Sequence, residues 1–245
     1  MILELLDEFM ICLCLNSLEV LEDKLKVYPF SLPMLLFKTD FDEKMINEKL
    51  TSFNNILLFD IINGKENYLD EFLELCDFSN ENVFKFIISE LIDNIFDHAH
   101  SKNAYVIAYC KKDHFDVIIF DDGITIPYSL ESHDFIFKKD WNAILNAIGG
   151  ISTKNEFGYY ERGCGLNNCF SLMTQGGCNS ILVASGKGII CSKKDKLYKI
   201  DISNKAIDGT IIGLRFDLNY NFNSLYEIIK KRYDVEKMGG VNYDN

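Results

Sequence analysis

The stretch from Asn82 to His100, NVFKFIISELIDNIFDHAH, constrains the fold more than any other part of the chain. Phe84, Ile88, Leu91, Ile95 and Ala99 recur at steps of three and four residues, which predicts one amphipathic helix. Ile87, Ile92 and Phe96 widen its apolar stripe. Ser79 or Asn80 suits the cap, and Glu81 suits a first turn where the helix dipole favours an acid. Glu90, Asp93, Asn94 and Asp97 fall on one narrow face beside the stripe, because such steps stay on one side of a helix. A carboxylate one turn before a carboxamide, on a helix held by a core, can present a base and a metal ligand. A solvated acidic face is the other reading.

After residue 100 the period changes. Ala104 to Cys110 and Phe115 to Phe120 are rich in β-branched and aromatic residues, with Lys111 to His114 suited to a hairpin turn. The second run enters Asp121-Asp122-Gly123-Ile124-Thr125-Ile126-Pro127. A carboxylate at a strand end is well placed for a ligand, and glycine beside it permits close backbone approach. A tight turn would favour the same residues. Residues 128–162 form a long connection with one helical piece, Trp141 to Ile148, which suits a lid or binding loop. Gly158 to Leu166 then leads into a helical run to Met173. Glycines at a helix start expose amides to an anion, with Lys154 and Arg162 nearby, although a flexible loop would use glycines too.

Strands are expected at 180–184, 188–191, 197–202 and 210–218, and a last helix at 224–232. Residues 1–80 are less regular. Leu3 to Leu15, Met34 to Phe37, Phe41 to Phe53, Ile56 to Ile61 and Tyr68 to Cys76 suggest a small N-terminal α/β subdomain, or an extension packed on the main domain. The expected organisation is an extension over 1–80, a main domain over 81–232 and a polar tail over 233–245. The expected fold is α/β, or α+β: a two-layer sandwich with helices on one face of a mixed sheet.

With 48% apolar residues in 245, the chain can bury a sizeable core. The formal net charge of −12 disfavours general binding to nucleic acid or to an anionic membrane. The 8 cysteines lack zinc spacing, and with this much core a disulfide framework is not expected. Glu4, Asp7 and Glu8 stand where a secretion signal would carry positive charge, and no apolar run is long enough to span a bilayer. A reducing, cytoplasmic compartment is the simplest inference.

No Gly-x4-Gly-Lys-Ser/Thr loop occurs, so a nucleotide site would need another construction. Glu90-Leu-Ile-Asp-Asn94-Ile-Phe-Asp-His98 resembles the asparagine box of the GHKL ATPases, the superfamily of gyrase, heat-shock chaperone, histidine kinase and mismatch-repair proteins. Asp121-Asp-Gly123-Ile-Thr-Ile-Pro127 resembles its first glycine box, and Gly158 to Leu166 its second. Gly209-Thr210 is similar to the Gly-Thr pair that closes the site. Order and spacing agree over roughly residues 80–218. The resemblance implies a Bergerat-type ATP-binding fold with ATP and Mg²⁺ as cofactors. It implies that Asn94 coordinates the metal, that Glu90 is the catalytic residue acting on a water, and that Asp121 accepts from the adenine amine with Thr210 in support. Gly123 would let the base lie against the backbone, and Thr125 and Ile126 would be among the ATP-binding residues. Gly163, Gly165 and the helix after them would hold the phosphates, with Lys154 and Arg162 offsetting charge and Cys164 and Leu166 also among the ATP-binding residues, and residues 128–162 would be the lid over ATP.

Two positions depart from the family pattern: Asp122 stands where asparagine is frequent, and Thr125 where a second glycine is. The variant Gly-Ile-Thr-Ile-Pro is similar to small stand-alone members resembling anti-sigma-factor kinases, which accompany a small STAS-like partner. None of His98, His100, His114 or His133 precedes the asparagine box on a dimerisation helix, which argues against a self-contained sensor histidine kinase. Fewer than about 30 residues follow Leu218, too few for a transducer domain. The resemblance leaves three functions open: an ATP-hydrolysing switch acting on a protein partner, a serine/threonine kinase of the anti-sigma type, or a non-enzymatic interaction module. Residues 1–80 are open to partner contacts or a homodimer.

Overall fold

The computed structural model describes residues 56–62, 68–74, 81–110, 114–151, 165–175, 179–193, 196–201 and 206–220. The segments read at 3–15, 34–37, 41–53 and 224–232 lie outside them. Seven strands form one sheet: β1 (Ile56–Asp60), β2 (Ala104–Cys110), β3 (His114–Asp121), β4 (Ser180–Gly186), β5 (Gly188–Lys193), β6 (Lys196–Asp201) and β7 (Ile207–Asp217). Its spatial order is β1-β2-β3-β7-β4-β5-β6. The helices are α1 (Tyr68–Glu74), α2 (Glu81–Asn94), α3 (Ile126–Glu131), α4 (Asp140–Ile148) and α5 (Gly165–Thr174).

Every pairing in the sheet is antiparallel, which corrects the expected mixed sheet. The reason lies in the order. The helical crossover from β3 to β4 does return the chain in the same direction, as a βαβ reading requires. The two strands are not neighbours, however, because β7 lies between them and runs against both. Helices and strands share one core on one sheet face. Phe72 of α1, Phe84, Ile87, Ile88 and Leu91 of α2, Ile144 of α4 and Leu172 of α5 pack with Val106, Val117, Ile119, Val183 and Leu214. Phe84 lies edge-on to Phe216 and 5.4 Å from the Phe115 ring centroid. Strand β1 extends this sheet and Phe72 enters this core, so β1 and α1 share the sheet and core of the domain expected to start at 81.

Local structure departs from the expectations at three places. The expected single helix over 82–100 is α-helical only to Asn94 and continues as a π turn over Ile95–Ala99, ending at a left-handed His100. The wider turn shifts the faces, so Phe96 points to solvent, at 57% exposure, instead of widening the apolar stripe. The long connection over 128–162, expected to hold one helical piece, has a second helix, α3, before α4; the two bury Leu130, Ala143, Ile144 and Ile148, and residues 152–162 lie outside the described residues. Cys110 at the end of β2 is disulfide-bonded, against the expectation of reduced thiols, whereas Cys169 and Cys191 are free and buried. Among the described residues no helix is long and apolar enough to cross a membrane.

The sheet face opposite the core cluster also buries Ile118, Leu182 and Cys191, and among its described residues Asp116 pairs with Arg215. Asp116 and Arg215 are direct partners on β3 and β7, and Arg215 Nε donates to Asp116 Oδ1 at 2.6 Å while its terminal nitrogen meets Oδ2. Asp116 is fully buried, so removing its carboxylate takes these two charged contacts from a guanidinium held in low dielectric. Asp116→Ala should lower stability by about 3–5 kcal/mol in urea unfolding. Arg215→Met with Asp116→Leu should recover most of that loss.

Candidate functional site

The backbone between α2 and β3 determines what meets at the end of the sheet. Ile124 N–H donates to the Ala99 carbonyl at 2.7 Å, tying the turn after β3 to the last residue of the π turn. Gly123 makes that approach possible, since a Cβ on it would overlap the Ala99 carbonyl and side chain. Asp122 holds the other side of the junction. Its carboxylate accepts from Lys102 N–H and Asn103 N–H, both at 2.8 Å, and from the Asn103 amide at 2.7 Å. Partial burial alone would raise its pKa, but these donors win and hold the carboxyl below its ordinary value. Asp122 is therefore a clamp for the α2–β2 connection.

With the junction fixed, α2 and the π turn lie over the ends of β3 and β7. The space between them is a cleft of about 120 Å³, roughly ten times what one water needs. Leu91, Asn94, Ile95 and His98 line one side, and Ile119, Asp121, Thr210 and Ile212 line the sheet side. Ile126, Ser129 and Leu130 from α3, with Ala147, Ile151 and Leu166, close the rest. The walls are mostly apolar with a few polar groups, the composition of a small-molecule site.

Asp121 and Thr210 are register partners on adjacent strands. Both face the helices, in phase with Val117, Ile119, Ile212 and Leu214. Asp121 is 7% exposed and accepts from Gly123 N–H at 2.8 Å. Burial pushes its pKa from 3.8 up to about 6; the Gly123 amide opposes that rise, the Asp122 charge adds to it, and the Thr210 amide opposes it. Gly209 precedes Thr210 with φ +77, a left-handed conformation that glycine adopts without strain. A Cβ on it would also overlap the Asp121 carbonyl oxygen.

The structure divides the residues singled out in the sequence. Asn94, Asp121, Ile126, Leu166 and Thr210 come together around the cleft. Gly165 begins α5 against α2, where a Cβ would stand 2.5 Å from Glu90 Oε2 and 3.6 Å from Asn94 Nδ2. Glu90 and Asn94 thus meet the start of α5 from one side. Gly123 lies behind the wall at the Ala99 junction. Thr125 caps α3, its hydroxyl accepting from Tyr128 N–H at 3.2 Å, with Pro127 in the first turn. Lys154, Arg162, Gly163 and Cys164 lie outside the described residues. Among the described residues no group of three or more His, Cys, Asp or Glu gathers to hold a metal by itself.

Ser185 of β4 had no role in the sequence reading, yet it joins three parts of the wall. It is fully buried, accepts from Ile126 N–H at 2.9 Å, donates to the Gly209 carbonyl at 2.8 Å and lies 3.1 Å from the Thr210 hydroxyl. The available signal was period two: Ser185 follows Ile181 and Val183 at alternate positions, so it faces the same core. A scan of the chain against protein-family models gives no match, and a search of the curated proteins finds no relative.

The raised Asp121 pKa has a consequence for stability. The folded state binds a proton between pH 4 and 6 that an unfolded aspartate has released, so the cost of this group is absent below about pH 3.8 and complete above about pH 6. Asp121→Asn should therefore stabilise the ligand-free protein by roughly 1–3 kcal/mol at pH 7.5. Thermal melting from pH 4 to 8 should show the advantage disappearing toward pH 4. An advantage independent of pH would mean that the Asp121 charge is not its source.

Proposed function

We propose that the chain binds ATP with Mg²⁺ in this cleft, hydrolyses it slowly, and uses the nucleotide to switch its contact with a protein partner. The reading assigns the chain to the GHKL ATPases and its fold to the Bergerat type. The observation that carries it is the convergence of Asn94 from α2, Asp121 from β3 and Thr210 from β7 on one cleft, from positions far apart in the sequence.

In this reading the apolar cleft takes the adenine, and the Asp121 carboxylate accepts from its amine. The single carboxamide oxygen of Asn94 fits Mg²⁺, which takes few protein ligands and completes its shell with phosphate oxygens and water. Bound there, the ion would neutralise phosphate charge. Glu90 lies one turn before Asn94 and beside the start of α5, where it would take the proton of a water attacking the γ-phosphorus as the bond to the bridging oxygen breaks. The α5 start would offer its amides to the phosphates. Helix α3 links the wall residues Ile126, Ser129 and Leu130 to the exposed Tyr128, and Ile136 beyond it is 92% exposed. An occupied cleft would thereby be felt at an apolar surface suited to a protein partner.

Calorimetry with ATP and Mg²⁺ should show binding to the unaltered protein and none to Asn94→Ala. Glu90→Ala should bind ATP with little change and release phosphate at least about 100-fold more slowly. Unchanged turnover in Glu90→Ala would remove it as the base. Labelled phosphate appearing on a co-purified protein, not in solution, would turn the reading to phosphotransfer.

A further inference from the structure

The hydrogen-bond directions around Ser185 determine which groups the cleft can offer. Ser185 Oγ lies 2.8 Å from the Gly209 carbonyl oxygen. Two oxygens that close need a hydrogen between them, and the carbonyl has none, so the single Ser185 proton is committed there. Ile126 N–H occupies one Ser185 lone pair. The remaining contact, 3.1 Å to Thr210 Oγ1, is then a hydrogen bond only if Thr210 donates. Thr210 spends its proton inside the wall and turns lone pairs toward the cleft.

Asp121 stands directly opposite Thr210 on the neighbouring strand, with Cβ atoms about 5 Å apart in such a pair. Its Oδ1 already accepts from Gly123, and the other carboxylate oxygen is again an acceptor. The sheet end of the cleft thus presents two acceptors side by side.

We propose that Ser185 is a positioning residue that sets ligand selectivity: by claiming the Thr210 proton it makes this wall acceptor-only, so that the wall takes a base edge carrying an amine and refuses one carrying a carbonyl. The inference rests on the nucleotide reading and adds a residue to it. An amine at the purine 6-position carries two N–H donors, one for each acceptor. A 6-oxo purine keeps a donor at N1 for Asp121 but turns its oxygen lone pairs on Thr210. Without Ser185, Thr210 is free to rotate and donate to that oxygen.

The test is the ratio of ATP to ITP affinity, both with Mg²⁺, measured by calorimetry at pH 7.5 on the full chain. The unaltered protein should prefer ATP by about tenfold or more, the scale of one unpaired buried polar group. Ser185→Ala should bring the ratio to within about threefold, with ITP binding tighter than before. Weakening of both nucleotides in equal proportion would make Ser185 merely structural and overturn the inference while leaving the nucleotide reading intact. Binding of neither nucleotide by the unaltered protein overturns both. If Ser185→Ala fails to fold, since it leaves Ile126 N–H and the Gly209 carbonyl without their partner, Thr210→Val serves instead. It removes the acceptor and should also collapse the ratio; a ratio that stays at its original value in Thr210→Val overturns the inference.

Discussion

The contact on which the arrangement depends is the one between Ala99 and the turn after β3. A carbonyl freed at the end of a π turn accepts from Ile124 N–H, and a glycine without a side chain lets the two backbones meet. That junction fixes the height of α2 over the sheet. If it moved outward by the size of a methyl group, Asn94 and His98 would no longer share a wall with Asp121. The clamp at Asp122 and the cap at Thr125 brace the same turn from either side. Asp122, Gly123 and Thr125 of one short motif thus serve the frame, and Asp121 is the acid of that motif that turns its side chain into the cleft.

Much of the frame was legible from residue periods. The α2 stripe, the ends of β2 and β3 and the helix after Gly165 conform to the patterns of three to four and of two. What escaped detection depends on neighbours distant in sequence. Nothing local distinguishes Ile95–Ala99 as a π turn, since the extra residue is accommodated by packing against the turn after β3. The sheet order escaped because β7, which separates β3 from β4, is encoded far downstream. Strands buried on both faces, such as β4, also read as continuous apolar runs, a habit of parallel sheets that hides an antiparallel one. Of the cleft lining, Asn94, Asp121 and Thr210 were singled out in the sequence by type and order. Ser185 was not, because a single serine at the end of an apolar strand gains meaning only when β7 lies beside it.

The cleft keeps a carboxylate where solvent scarcely reaches. The Gly123 and Thr210 amides compensate only in part for the lost water, so the charge stands at an energetic disadvantage in the empty protein. A partner group with N–H donors would relieve it. A buried carboxylate with few donors is a feature common at binding sites.

The insertion of β7 between β3 and β4 also governs when the cleft can come into being. As the chain is synthesised, β2, β3 and the helices can collapse early, but β3 and β4 point the same way across a slot that only residues 207–217 fill. Asp121 and Ser185 wait for Gly209 and Thr210, and these contacts of large sequence separation slow folding. Until β7 is in place, the facing edges of β3 and β4 have no strand between them, the kind of exposed edge that chaperones guard. The cleft is complete only when that slot is closed.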